Sequence, residues 1–220
     1  MTNTYVNGEP ELLSESIIER AKSLSTTLLS DAMGCSGAMN DGIKPLTTKK
    51  VIAGTAMTVK MRSGDNLFLH QAISMGKPNL ILVADGQGHA VNAYLGELMA
   101  EAAKMNGLEG IVIDGLVRDQ EALLELGLPI YAKGFTPNGP FKDGPGEINF
   151  PISCGGIVVQ AGDLVVADAD GVVVVPKAKV EEVLVGAEKK LFYENKRKAE
   201  IRAGKTEPQW LKEKMKEFGF

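Results

Sequence analysis

An arginine and an aspartate stand side by side directly after an apolar stretch that is typical of a buried strand. The stretch "IVIDGLVRD" ends with Arg118 and Asp119, and a helical pattern follows at once. At a strand-to-helix turn, both side chains can face the crevice that forms at the carboxyl ends of parallel strands. Arginine can hold a carboxylate with two parallel hydrogen bonds, and aspartate can bind a hard divalent cation. The pair therefore indicates a site for a carboxylate and a metal ion.

A second half of this site is predicted at the end of the preceding strand. The stretch "NLILVAD" leads through a glycine-rich loop into "GELM", which opens a helix. Backbone N–H groups at the start of a helix bind anions, and the helix dipole assists them. Amides around Leu98 and Met99 can therefore share one carboxylate with Arg118. The residues alone leave a second interpretation open, in which Asp119 merely caps its helix and Arg118 forms a surface ion pair.

The elements that must hold this site alternate between strand and helix patterns, which predicts βαβ units around a parallel sheet. A loop rich in glycine and proline follows at 136–150, and short β-branched runs at 155–176 predict a β-meander. The charged segment 177–220 has a helical pattern that breaks at "AGKTEP". The predicted strands are 51–61, 79–85, 110–114 and 129–134, and the predicted helices between them are 65–76, 96–107 and 119–127.

Length and composition favour one α/β core at 1–176 with a helical extension at 177–220 that packs on a neighbouring subunit. The 220 residues are 44% hydrophobic and 24% charged, enough apolar sequence for a sizeable core. The net charge of −4 offers no general attraction for nucleic acid or an anionic membrane surface. No apolar run approaches the about 18 residues of a membrane span, and the N-terminus shows no signal peptide. We therefore expect a cytoplasmic protein.

Other motifs carry little chemistry. The glycines of "DGQGHAV" lack the third glycine of a dinucleotide fingerprint, because Val91 stands at that position. "DADG" fails as a calcium loop, since its twelfth position is Lys179 where a glutamate is required. His70 is predicted to be structural, within an amphipathic helix, and His89 lies in the glycine-rich loop. The cysteines have no metal-ligand spacing.

Several of these segments resemble the RraA-like family, which includes the class II 4-hydroxy-4-methyl-2-oxoglutarate / 4-carboxy-4-hydroxy-2-oxoadipate aldolases. "GELMAEAAKMNGLEGIVIDGLVRD" is similar to the family signature, in which twenty residues separate an acidic residue from Arg-Asp. Glu97 keeps this spacing from Arg118, although many members have aspartate there. The likeness extends through "SDAMG", "GDNLFLHQAI" and "CGGIVVQAGDLVVADADGVVVVP", and so covers most of residues 27–176.

The resemblance implies roles for the site residues. Arg118 would bind the carboxylate and keto group of a pyruvoyl unit, and Glu97 would act in proton transfer. Asp119 would be the one direct protein ligand of Mg²⁺ or Mn²⁺, and waters would complete the shell. A glutamate from a neighbouring subunit would act through metal-bound water; we favour Glu194 over Glu200. The backbone that joins Arg118 in binding substrate would be that of Gly96, Glu97, Leu98 and Met99.

The implied activity is cleavage of a 4-hydroxy-2-oxo acid to pyruvate, with oxaloacetate decarboxylation as a side activity. The implied fold is a swivelling phosphohistidine-type α/β domain, assembled as a homotrimer or homohexamer. Two alternatives stay open. The RraA proteins of the same family are inhibitors of an endoribonuclease and are typically shorter, and a related metal-dependent lyase would act on another oxo acid.

Overall fold

The computed structural model describes residues 5–47 and 50–219. Three short pieces of the chain lie outside these ranges. They are residues 1–4 at the start of the predicted core, residues 48–49 within it, and Phe220 at the end of the predicted extension. A single 3₁₀ turn precedes the longest of the described helices. The α-helices are α1 (Glu15–Lys22), α2 (Thr26–Ala32), α3 (Leu67–Ser74), α4 (Glu97–Met105), α5 (Gln120–Leu126), α6 (Val180–Arg202) and α7 (Gln209–Lys216).

One large sheet and one small hairpin contain the described strands. The large sheet has the order β1-β5-β4-β3-β2-β10-β11, with β6 beside β4 and β7 beside β2, and β8 pairs only with β9. The strands are β1 (Lys44–Pro45), β2 (Ile52–Lys60), β3 (Leu80–Leu95), β4 (Gly110–Val117), β5 (Ile130–Ala132), β6 (Gly134–Phe135), β7 (Glu147–Ile148), β8 (Ile152–Cys154), β9 (Ile157–Val159), β10 (Leu164–Ala167) and β11 (Val172–Val175).

The centre of the sheet is parallel, as the alternating pattern predicts. β2, β3, β4 and β5 pair in parallel, and helices α3, α4 and α5 connect them. The odd-numbered side chains of β2 and β4, such as Met57 and Ile111, pack against these helices in one apolar cluster. Because parallel strands are covered on both faces, they are apolar nearly throughout. This explains why the central strands read as unbroken hydrophobic runs.

The first part of the predicted C-terminal extension belongs to the core of its own chain. Val183, Leu184 and Ala187 of α6 are buried with residues of α1, α2, β10 and β11 in a second apolar cluster. These helices cover the same sheet face as α3, α4 and α5. The structure therefore joins the first turns of α6 to the sheet, and the packing of the later turns on another subunit stays a prediction.

The other face of the sheet encloses a third apolar cluster, covered by the β8–β9 hairpin. β1 pairs with β5 at one edge of the sheet, and Ala38, which precedes β1 in the chain, bridges to Val173 on β11 at the other edge. The chain before β1 therefore links the two edges, and the sheet is nearly closed and barrel-like. The predicted β-meander at 155–176 is confirmed for β10 and β11, which pair antiparallel across the "DADG" turn. It is wrong for β9, which pairs with β8 and not with β10. The swivelling phosphohistidine-type arrangement stays a prediction. Within the described part of the chain, no helix is both long and apolar enough to cross a bilayer.

Candidate active site

The ends of β3 and β4 bring the two predicted halves of the site together. Both strands are longer than predicted: β3 continues past Asp85 through register shifts to Leu95, and β4 continues through Gly115 to Val117. The backbone N–H of Arg118 donates to the carbonyl of Leu95 at 2.9 Å. The turn into α4 and the turn into α5 therefore start side by side at one edge of the sheet.

Asp119 occupies the N-cap position of α5 without capping it. Its backbone is left-handed, with φ 64° and ψ 49°, and its side chain makes no cap hydrogen bond. One carboxylate oxygen, Oδ2, accepts instead from the backbone N–H of Glu97 at 3.1 Å. The capping interpretation of Asp119 is therefore wrong, and the left-handed turn aims its carboxylate across to α4.

Arg118 lies against the same carboxylate oxygen. Its Nε is 3.5 Å from Asp119 Oδ2, and the two side chains are 44% and 41% exposed. Such exposed pairs contribute little to stability. The guanidinium is therefore held beside the carboxylate while most of its hydrogen-bonding capacity stays open to a ligand.

Gly96 allows this close approach. A Cβ built at Gly96 would collide with Oδ2 of Asp119 and lie 3.0 Å from Nε of Arg118. The backbone there is extended, with φ −140° and ψ −174°, so any residue type could adopt it. Glycine is therefore required at this position because the side chains of Asp119 and Arg118 leave no room for a Cβ, and not because of its backbone conformation.

The first turn of α4 presents unpaired hydrogen-bond donors to this place. The N–H of Glu97 is taken by Asp119, but those of Leu98 and Met99 have no acceptor among the described residues. Exposed N–H groups at a helix N-terminus bind anions. The predicted carboxylate cradle of Arg118, Leu98 and Met99 is therefore brought together within one chain.

A cavity of about 340 Å³ opens over these groups. Its wall contains the predicted residues of both turns, together with residues of α3 and of the loop after β6. The lining residues are Asn66, His70, Ala93, Tyr94, Leu95, Gly96, Glu97, Leu98, Met99, Arg118, Asp119, Pro140 and Lys142. Glu97, at the first position of α4, is exposed at this wall.

The loop that carries Pro140 and Lys142 is fastened by Asp65. Asp65 is buried, and one of its oxygens, Oδ2, accepts from the N–H groups of Asp143 at 2.6 Å and Gly144 at 2.9 Å. Its other oxygen accepts from Leu67 N–H and so caps α3. Burial opposes ionisation of Asp65, but these three backbone hydrogen bonds, helped by Arg62, outweigh it and lower its pKa. The carboxylate thus joins α3 to the loop.

His70 lies in α3 as predicted and borders the cavity; its structural role stays a prediction. Partial burial lowers the pKa of His70, and the positive charge of Lys142 lowers it further. Since an ordinary histidine has a pKa of about 6.5, His70 is neutral at neutral pH. Lys142 is therefore a second cation in the cavity lining, besides Arg118. The predicted His89 lies elsewhere, against Asn92.

Asn66 is a further residue that the sequence prediction missed. It stands four residues before His70, so both side chains lie on one face of α3. Asparagine at an N-cap position normally caps its helix, but Asn66 makes no cap hydrogen bond. Its Nδ2 donates instead to Tyr94 O at 2.9 Å and Met99 Sδ at 3.2 Å. In the sequence, the four-residue spacing of Asn66 and His70 in "DNLFLH" is the pattern that could have indicated that both face the same cavity.

The predicted glutamates of the neighbouring subunit lie away from this cavity in their own chain. Glu194 on α6 pairs with Lys198 at 3.6 Å, and Glu200 pairs with Arg197 at 3.0 Å. Neither borders the cavity of Arg118 and Asp119. Their contribution across a subunit boundary stays a prediction.

The site fits a metal ion held by one protein ligand. The described residues contain no group of three or more His, Cys, Asp or Glu side chains that could hold a metal. Asp119 Oδ1 has no hydrogen-bond partner among them, and the adjoining cavity has room for water ligands. A water-rich shell with a single carboxylate suits Mg²⁺.

Comparison with known proteins gives the following likenesses. The RraA-like family model, described as Aldolase/RraA, matches residues 26–174. A protein of Halalkalibacterium halodurans named "Putative 4-hydroxy-4-methyl-2-oxoglutarate aldolase" is 40% identical over 173 residues, which are 79% of this chain and 82% of that protein. An uncharacterized protein from Pseudomonas syringae pv. tomato has a TM-score of 0.78 at 26% identity over 89% of this chain and 96% of its own. The RNA-processing inhibitor RraA from Thermus thermophilis has a TM-score of 0.64 at 30% identity, and the likeness covers 70% of this chain and 93% of the inhibitor.

Proposed function

The chain belongs to the RraA-like family, and from this membership we propose that it is a lyase that cleaves a 4-hydroxy-2-oxo acid to pyruvate and a second oxo acid. 4-Hydroxy-4-methyl-2-oxoglutarate is the proposed substrate. One observation carries the proposal: Arg118, Asp119 and the free N–H groups of α4 meet in a single cavity. Together they offer a cation, amide donors and a metal ligand to one small oxo acid.

Asp119 is the proposed protein ligand of Mg²⁺ or Mn²⁺. A divalent cation bound there supplies Lewis-acid stabilisation of the negative charge that develops on the pyruvate keto oxygen. The Glu97 N–H holds Asp119 Oδ2 in place, and this leaves Oδ1 without a protein partner. The carboxylate is thus oriented before a cation arrives.

The chain's own residues account for binding and charge stabilisation. Arg118 and the N–H groups of Leu98 and Met99 hold the pyruvoyl carboxylate, and Arg118 also stabilises the oxyanion that forms. On cleavage the C3–C4 bond breaks, and its electron pair forms the enolate of pyruvate. The C4 hydroxyl proton passes to a water held by Glu97, and C3 of the enolate then takes up a proton. Oxaloacetate decarboxylation yields the same enolate, so it is a proposed side activity.

The rest of the cavity lining supports a substrate with a second carboxylate. Lys142 is a cation in this lining, and the neutral His70 beside it adds hydrogen-bonding capacity without charge. A dicarboxylate bound in this cavity would find a second cation, Lys142, besides Arg118. This favours 4-hydroxy-4-methyl-2-oxoglutarate over a monocarboxylic oxo acid.

A neighbouring subunit completes the proposed site in a homotrimer or homohexamer. Glu194 is the proposed acid that acts from that neighbour through metal-bound water, and Glu200 is the second choice. Both stand on the later part of α6, beyond the turns that are buried in the core of their own chain.

The proposed activity is tested by a coupled assay of pyruvate release from 4-hydroxy-4-methyl-2-oxoglutarate. We expect release that stops with a chelator and returns with added Mg²⁺ or Mn²⁺. Asp119→Ala should abolish release and also weaken Mn²⁺ binding, measured as free Mn²⁺ by electron paramagnetic resonance. The exposed Asp41 gives the control Asp41→Ala, which should change neither. A fully active Asp119→Ala protein would refute the metal assignment.

A second candidate function is inhibition of an endoribonuclease. The TM-score of 0.64 to the RNA-processing inhibitor RraA, at 30% identity, favours it. The likeness covers 93% of that chain but 70% of this one, so much of this chain has no counterpart in the inhibitor. Tight ribonuclease binding by a protein that cleaves no oxo acid would establish this function, and cleavage of a different oxo acid would establish a related lyase.

A further inference from the structure

The side-chain amide of Asn66 is held in one orientation beside the carboxylate cradle. Its Nδ2 donates to Tyr94 O at 2.9 Å and to Met99 Sδ at 3.2 Å. Tyr94 is the last residue but one of β3, before the turn into α4, and Met99 lies in the first turn of α4. Because both contacts need a donor, the amide nitrogen is committed to them, and the oxygen is the free end of the group.

That oxygen has no partner. Asn66 is 2% exposed, and Oδ1 is among the buried side-chain atoms without a hydrogen bond in the described part of the chain. A buried acceptor left unpaired costs about 1–3 kcal/mol. Such a cost is offset when a ligand supplies the missing donor.

The other buried atoms that share this property do not border the cavity. Asn149 Oδ1 and the Tyr131 hydroxyl belong to residues outside its wall, and so does Asp114 Oδ1. Asp114 also has a charged neighbour, since Lys133 Nζ is 2.6 Å away. Asn66 therefore combines an unpaired acceptor with a place at the cavity.

The chemistry of the proposed substrate limits which groups can donate a hydrogen bond to Asn66 Oδ1. At neutral pH the carboxylates and the ketone of a 4-hydroxy-2-oxo acid accept hydrogen bonds but donate none. The C4 hydroxyl is its one donor, and the water that takes up the hydroxyl proton is the other O–H group that cleavage brings to this place.

We propose that Asn66 Oδ1 accepts a hydrogen bond from an O–H group at C4 of the bound substrate, either the hydroxyl itself or the water that takes its proton. This inference rests on the proposed function. Asn66 then determines specificity, because it favours hydroxylated oxo acids over those without a hydroxyl. Oxaloacetate in its keto form carries no hydroxyl at C4, so its decarboxylation does not use this contact.

The test compares both activities in Asn66→Ala and Asn66→Leu, since leucine keeps the branched shape without the acceptor. We expect kcat/KM for cleavage of 4-hydroxy-4-methyl-2-oxoglutarate to fall about tenfold to a hundredfold. Oxaloacetate decarboxylation should change by less than about threefold. A rise in KM identifies the hydroxyl as the donor, and a fall in kcat at constant KM identifies the water.

Asn149→Ala is the matched control. Asn149 is also an asparagine, is 3% exposed and has an unpaired Oδ1, but it lies away from the cavity. Its variant should keep the wild-type ratio of the two activities, even if its melting temperature falls.

Equal losses of both activities in the Asn66 variants, or cleavage at the wild-type rate, would overturn the assignment of Asn66. Wild-type protein without cleavage activity would instead refute the proposed function, and this inference with it.

Discussion

Gly96 shows how a single missing side chain organises the site. The carboxylate of Asp119 and the side chain of Arg118 both lie so close to Gly96 that an added Cβ would crowd them. The two charged groups therefore approach the start of α4 closely, and Asp119 reaches the N–H of Glu97. Packing against the glycine backbone fixes the positions of both groups within the cavity.

Gly96→Ala should cost activity more than stability. The added methyl group must displace Asp119 or Arg118, and a displacement of about 1 Å in such groups lowers rates about a hundredfold. We expect kcat/KM to fall by about that factor while the melting temperature changes little, because the extended backbone at this residue tolerates alanine. Pyruvate release and thermal unfolding measure the two effects.

Gly8→Ala provides the comparison, since a Cβ at Gly8 meets nothing within 4 Å. It should leave both measurements unchanged. Full activity of Gly96→Ala would show that the close approach to Asp119 is dispensable.

At the scale of elements, one buried carboxylate couples helix α3 to the loop over the cavity. Asp65 accepts from Leu67 at the start of α3 and from Asp143 and Gly144 in the loop. The loop carries Lys142, and α3 carries Asn66 and His70. Because its pKa is lowered in the folded protein, the ionised form of Asp65 stabilises this junction.

Asp65→Asn should remove a pH-dependent part of the stability. A lowered folded-state pKa means that the stabilisation is fully present above the unfolded value of about 3.9 and is lost as the pH falls through the folded value. The melting temperature of the wild type should therefore exceed that of the variant most above about pH 5, and the difference should shrink in more acidic buffer.

The variant should also raise KM, since the loop loses its attachment. Asp163 offers a matched control, because it too is buried and accepts backbone hydrogen bonds, from Gln160 and Lys177. Asp163→Asn should leave KM unchanged. A difference in melting temperature that stays constant with pH would contradict the role of the Asp65 charge.

The elements also show which parts of the site local sequence patterns can predict. Arg118 and Asp119 were found because strand, turn and helix signals adjoin them in the sequence. Asn66 and Lys142 were not predicted, and His70 was predicted only as a structural residue, because all three belong to α3 and to a distant loop. Only tertiary packing brings these elements together at the cavity. The strand predicted at 79–85 ended too early because the part of β3 with register shifts, around Gly86 and Gly88, has the sequence of a loop.

At the scale of the whole molecule, α6 has two different parts. Its first turns are buried against α1 and α2, whereas Phe192 and Tyr193 further along are 76% and 54% exposed. Exposed aromatic side chains of this size commonly mark an interface. Glu194 follows them directly, so a subunit that covers these rings would also bring Glu194 close to its neighbour.

Mixed oligomers test whether Glu194 acts across a subunit boundary. Asp119→Ala and Glu194→Ala should each be nearly inactive alone. When the two are co-expressed in equal amounts, about one quarter of the sites in a cyclic oligomer would combine an intact Asp119 with an intact Glu194 from the neighbour. We therefore expect partial recovery of pyruvate release in the purified mixture.

Mixtures in which Glu200→Ala replaces Glu194→Ala discriminate between the two glutamates, because Glu200→Ala should already be active by itself. An inactive Asp119/Glu194 mixture that is shown to contain both subunits would indicate that no site is shared between chains.

The left-handed backbone of Asp119 has a consequence for the folding stability of the protein. A residue with a Cβ at φ 64° and ψ 49° carries a penalty of about 1 kcal/mol that glycine would avoid. For folding stability alone, glycine would therefore be favoured at this position, but it would lack the carboxylate. If Asp119 has its proposed role as a metal ligand, its carboxylate is kept at the cost of folding stability that glycine would provide.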